Sequence, residues 1–188
     1  MKSSVRPESL KEAVNAQVEA ATLSLRELQQ AEQPEGNRYT EPQKYIVDFL
    51  HAARGVLAIL KTFGENQLQP APFKRWLEAW EHTLKPEQLA LWRAIGTEPV
   101  SPEHAEEALL MPTWIPITRG QMPEDFTDYA ELGIPRATGP TKSAVRFRAY
   151  PDKPASEVCD AYFTLVRRLV ADFLRQHAHL VPLTEPTK

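Results

Sequence analysis

The sequence holds a single cysteine, Cys159, in 188 residues. No intrachain disulfide can form, which excludes a disulfide-stapled secreted scaffold. Glycine is scarce, with seven against 17 prolines, and no P-loop, GxSxG or dinucleotide-type glycine pattern occurs, so phosphate-cradling loops and nucleophile elbows are not expected. No long apolar run is present: the stretch Tyr45–Leu60 is broken by Asp48, His51 and Arg54, well short of the roughly 20 apolar residues a membrane span needs. The first dozen residues are polar, without the apolar segment of a signal peptide. The expected address is therefore cytoplasmic. A net charge of -3 gives no global attraction to nucleic acid, so phosphate binding would need a local basic patch.

What is present is helical periodicity. Apolar residues make up 42% of the chain and charged residues 25%, which suits one globular domain over residues 1–188. Val14, Val18, Ala21, Leu25 and Leu28 share one face of a helix predicted from Ser9 to Gln33. Thr40-Glu41-Pro42-Gln43 reads as a capping box that starts a second helix. Its stripe runs from Ile46 through Phe49, Ala53, Val56 and Leu60, and Gly64 is expected to stop it. At its centre Ala52-Ala53-Arg54-Gly55 is a run of small residues around one arginine. Gly55 implies a close packing contact there, and Arg54 calls for an acidic partner such as Asp48 or Glu19, or a place in a symmetric interface.

Shorter helices are predicted at Pro72–Thr83, at Pro86–Ile95 before Gly96, and from Ser101; the longest of the remainder runs from Ser156 to His179. Residues 110–155 lose the helical period and form a proline-rich insertion. Val145, Phe147 and Ala149 alternate there with Arg146, Arg148 and Tyr150, as a small β-ribbon would. Residues 181–188 read as a flexible tail. The fold class is thus all-α: an antiparallel bundle of three long helices with short helices and an insertion with room for a small β-ribbon.

Chemistry-bearing constellations are few. His177 and His179 point about 200° apart on a helix and cannot share an ion, and no other Cys/His cluster has metal-ligand spacing, so no metal and no cofactor are expected. Cys159 lacks a nearby histidine and reads as a core residue. Phe73, Leu77, Trp80 and Leu84, with Trp76 alongside, lie within one helical stripe and read as core. The basic group Arg136, Lys142, Arg146, Arg148 and Lys153 lies in a stretch with few acids, and Tyr150 could stack on a base, a pattern that suits a nucleic-acid-binding surface.

Two stretches carry a family resemblance. Phe49-Leu50-His51-Ala52-Ala53-Arg54-Gly55-Val56-Leu57 is similar to the second helix of bacterial HEPN-like proteins, which carry an FLxAARSVxxxL-type segment. Phe73-Lys74-Arg75-Trp76 and Leu89–Arg93 fall where that family has a short F-x-x-W helix and the helix leading to its catalytic motif. The overlap spans about residues 40 to 95. The resemblance implies a helical bundle, often a homodimer, and in active members a metal-independent ribonuclease built on an R-x(4–6)-H motif at the dimer interface. Histidine would there move the 2′-hydroxyl proton while arginine stabilises charge on phosphate.

The sequence departs from that motif. Arg93 stands at about the family's arginine position but is followed by Ala94, and the nearest histidine, His104, lies beyond two prolines. Arg75 and His82, with six residues between them, match the spacing formally and share a helix face opposite Phe73 and Trp80. Three readings follow. The first is a non-catalytic, homodimeric interaction or binding module with no membrane contact, open to a protein partner. The second is a ribonuclease using Arg75 with His82, or Arg93 with His104. The third is a nucleic-acid-binding module on the Arg136–Lys153 group, with RNA as its partner.

Overall fold

The computed structural model describes residues 7–33, 42–96, 110–116 and 141–178. The chain is mostly helical. In order it forms α1 (Pro7–Glu32), α2 (Pro42–Leu68), α3 (Pro70–Glu81), α4 (Pro86–Gly96), β1 (Leu110–Pro116), β2 (Thr141–Phe147) and α5 (Ala155–Gln176). The abundant prolines have a clear use. Proline opens α1, α2, α3 and α4 and immediately precedes α5, because its fixed φ suits the first turn and its missing N–H would find no intrahelical partner there.

Most of the core is made by α1, α2 and α5. Leu10, Val14, Ala21, Leu25 and Leu28 from α1 are buried against Ile46, Phe49, Ala53, Val56 and Leu60 from α2 and Val158, Tyr162, Val166, Leu169 and Phe173 from α5. Helix directions follow from the contacts. Glu32 bonds Ser156 while Thr22 bonds Arg167, so α5 runs antiparallel to α1. Phe49 packs edge-on against Phe163 and Phe63 against Phe173, so α5 runs parallel to α2. The arrangement is therefore not antiparallel throughout. Residues 69–154 separate α2 from α5, and this long connection lets the two long helices point the same way.

The expected stop at Gly64 is not where α2 ends. The helix continues to Leu68, and Gly64 is buried inside it. A Cβ there would stand 2.1 Å from the Phe73 ring, so the residue is small to let α3 close onto α2. The turn falls instead at Gln69, whose φ of 71° is a left-handed value for a non-glycine residue. Gly55 plays a related but softer part: a Cβ there would meet the end of the Gln17 side chain from α1 at 2.7 Å. The neighbour at this glycine is thus a flexible side-chain end and not a close backbone.

β1 and β2 pair antiparallel, Leu110 opposite Phe147 and Pro116 opposite Thr141. Among the described residues two strands pair, so both are edges, where the prolines of β1 are tolerated. Leu110 and Phe147 are buried and join the ribbon's end to the helical core. Thr40 and Glu41 of the expected capping box and the start of the helix expected from Ser101 lie outside the described residues, whereas Pro42 and Gln43 open α2.

Candidate functional site

Helix α5 begins at Ala155 with Pro154 before it, and Pro154 offers no side-chain acceptor for the first amides. The acceptor comes from the far end of α1. Glu32 accepts from the Ala155 amide at 2.9 Å, from the Ser156 amide at 3.2 Å and from the Ser156 hydroxyl, and it pairs with Arg146 at 3.2 Å. A carboxylate is the suitable group, since the helix N-terminus carries partial positive charge. Arg146, from β2, is thus turned inward and neutralised, with only 13% of its side chain exposed.

A second polar assembly sits where α2, α4 and α5 converge. Arg54 leaves the Ala52-Ala53-Arg54-Gly55 run toward α4, and its Nη2 donates to the Ile95 carbonyl at 2.9 Å. That carbonyl belongs to the last turn of α4, where carbonyls lack intrahelical partners and a cation is favoured. No acidic residue among the described ones pairs with Arg54, so neither Asp48 nor Glu19 plays the part expected of them. Asp48 and Glu19 are both exposed, on parts of α2 and α1 that face solvent. Burial lowers the Arg54 pKa, partly countered by Tyr162.

Tyr162, from α5, is fully buried beside this contact. Its ring lies 5.7 Å from Trp92, and a Cβ on Gly96 would stand 3.3 Å from its hydroxyl. Among the described residues neither the Tyr162 hydroxyl nor Arg54 Nε has a hydrogen-bond partner. Burial pushes the Tyr162 pKa up to about 12, against a smaller opposing pull from Arg54. A phenol with a raised folded pKa stabilises the fold while protonated, fully below its unfolded value near 10, and that contribution is lost as pH rises through 12. Stability is accordingly expected to fall by roughly 2 to 3 kcal/mol between about pH 10 and pH 12. Urea titrations at several pH values check this, and Tyr162→Phe should flatten that part of the profile.

Tryptophans line the neighbouring layer. Trp80 and Trp92 meet edge to face at 5.1 Å, and their indole N–H groups donate to Asp172 at 3.1 Å and to Glu81 at 3.0 Å. Trp76 donates to Gln176 at 2.6 Å and packs against Phe73 and Phe173. Phe73, Trp80 and Leu84 are buried, so the aromatic stripe of α3 is core. Cys159 is also buried, and burial holds its thiol well above the usual range, with Glu32 and Asp160 adding to the effect. A thiol so placed is a poor nucleophile.

The catalytic candidates among the described residues, Arg75, His82 and Arg93, are all exposed. Arg75 is exposed on α3, and His82 is exposed at its C-cap, its amide donating to the Glu78 carbonyl. Both stand opposite the buried Phe73 and Trp80, as their spacing requires. Arg93 is exposed on the last turn of α4. His104 and Arg136 lie outside the described residues. Lys142 lies in β2 opposite Ile115, and Arg148 is exposed just after that strand. Among the described residues no group of His, Cys, Asp or Glu could hold a metal ion, and no helix is long and apolar enough to cross a membrane.

Glu32 and the Tyr162 hydroxyl are the polar groups of these assemblies that the sequence did not mark. Glu32 sits at a polar helix end with nothing local to mark it. Tyr162 falls on the apolar stripe of α5, where only its hydroxyl hints at more than packing.

The chain matches no family model, no curated protein and no solved structure.

Proposed function

We propose that this chain is a non-catalytic, HEPN-like helical bundle that serves in the cytoplasm as a homodimeric interaction module. The observation that carries the reading is the use made of the segment Phe49–Leu60. Phe49, Leu50, Ala52, Ala53, Val56 and Leu60 are all buried, and Arg54 clips α2 to the end of α4. The segment with the family likeness thus organises the scaffold rather than a reaction. Arg75, His82 and Arg93 are exposed, and none of them takes part in the Arg54–Ile95 contact.

The outer face of α1 supports self-association. Leu23 is 60% exposed there, and exposed Ala16 and Ala20 lie on the same stripe at steps of four and three. A second copy laid antiparallel across this face, centred near Glu19, sets Glu12 of each copy beside Arg26 of the other. Such a contact is closed and two-fold, as most soluble homodimers are. Sedimentation analysis at micromolar concentration should give a dimer, and Leu23→Glu should give a folded monomer. A wild-type monomer would overturn the reading.

The ribonuclease reading has one observation in its favour: Arg75 and His82 are exposed on one face of α3. It predicts RNA cleavage in EDTA that His82→Ala abolishes. Intact RNA after long incubation with the pure protein would end it. For the nucleic-acid-binding reading, the ion pair of Arg146 with Glu32 removes a central cation from the basic group. Salt-sensitive RNA binding that survives Arg146→Glu would have to come from elsewhere on the surface.

A further inference from the structure

The outer face of α1 places a charge in the middle of its small apolar stripe. Ala16 and Leu23 are exposed there, and Glu19 stands exposed between them. Glu12, Ala16, Leu23 and Arg26 all lie within about 60° of Glu19 around the helix. In the antiparallel two-fold contact centred near Glu19, each residue on one side of the centre meets, in the second copy, the residue equally far on the other side. Leu23 then meets Ala16. Glu12, about 10 Å from Glu19 along the axis, meets Arg26, which is equally far the other way. Glu19 alone among these has itself as its counterpart. Packed helices stand about 8 to 10 Å apart, so two glutamate side chains at the two-fold axis reach each other.

We propose, on the basis of the homodimer reading, that Glu19 makes self-association proton-dependent, so that the dimer is tighter at pH 5 than at pH 7. Two carboxylates at the axis repel each other while both are charged. One proton taken up by the pair removes the repulsion. The dimer therefore holds more protons than two monomers do, and acid favours it. A carboxylate beside an arginine keeps its charge more firmly than one beside another carboxylate, so the Glu19 pair responds before Glu12. Other charges belong to the elements packed against this stretch. Arg167 of α5 bonds Thr22 and lies over the Phe163 ring, and it stays charged throughout this range. Arg54, Arg168 and Asp172 are engaged elsewhere, with Ile95, Thr83 and Trp80. Asp48 and His51 are exposed on α2, and His51 is the group whose own titration has to be separated.

Sedimentation equilibrium of the full chain at pH 7 and pH 5, at one ionic strength, tests this. The wild-type Kd should be about threefold to fourfold lower at pH 5. Glu19→Gln removes the repulsion at either pH. It should dimerise about tenfold more tightly than wild type at pH 7, and its Kd should no longer fall toward pH 5. His51→Gln should keep the wild-type response. A dimer that Leu23→Glu disrupts, but whose Kd does not fall with pH, overturns the proton dependence and leaves the homodimer standing. So does a Glu19→Gln dimer no tighter than wild type, or a response lost in His51→Gln. A monomer at both pH values overturns the homodimer reading and this inference together.

Discussion

Replacing Glu32 by alanine is expected to destabilise the protein by about 3 kcal/mol, measured as a fall in the urea midpoint. Two losses combine. The first amides of α5 lose the only acceptor that Pro154 leaves them among the described residues, an effect comparable to removing a helix N-cap and worth about 1 kcal/mol. Arg146 is then left with 13% of its side chain exposed and no counter-ion, and stranding one member of a buried pair costs several kcal/mol. The conservative change Glu32→Gln keeps an acceptor oxygen for α5 but not the charge, and should fall between wild type and Glu32→Ala. A second change sharpens the test. Arg146→Met in the Glu32→Ala background should restore part of the loss, since it removes the stranded charge. A Glu32→Ala loss below about 1 kcal/mol would mean that water replaces the carboxylate at both places.

The two glycines of α2 should respond in opposite directions to the same substitution. Gly64→Ala is expected to destabilise by about 2 kcal/mol. The added methyl would sit 2.1 Å from a Phe73 ring that is itself held between Trp76 and Phe173. Overpacking of this kind costs about 1 to 3 kcal/mol, and here it outweighs the gain in helix propensity. Gly55→Ala meets only the end of Gln17, a flexible side chain that can turn away. It should be neutral or stabilising by up to about 1 kcal/mol, the propensity difference between glycine and alanine. Denaturant titrations of both variants decide the matter. Restoration of Gly64→Ala by Phe73→Leu would place the clash at that ring, whereas equal effects at the two sites would contradict the packing described.

Much of the helical frame was legible. The stripes of α1, α2 and α5 were visible because burial on one side of a helix repeats every 3.6 residues, and Pro42 and Pro86 marked the starts of α2 and α4 because proline is tolerated in the first helical turn. The buried role of Phe73 and Trp80 followed from the same periodicity. Gly64 was misread because a glycine inside a helix and a glycine ending one look alike locally. Only the approach of Phe73 from α3 tells them apart.

By itself, then, the sequence determined roughly where α1 to α5 lie, which face of each is buried, and that no intrachain disulfide can form. Those properties depend on spacings within a few residues. The tertiary structure alone decided that α5 runs parallel to α2, that Glu32 caps a helix 123 positions away, and that Arg54 answers to the Ile95 carbonyl instead of an acid. Each depends on which groups meet across long separations in the chain, and unsatisfied polar groups take whichever partner the packing of apolar faces brings within reach.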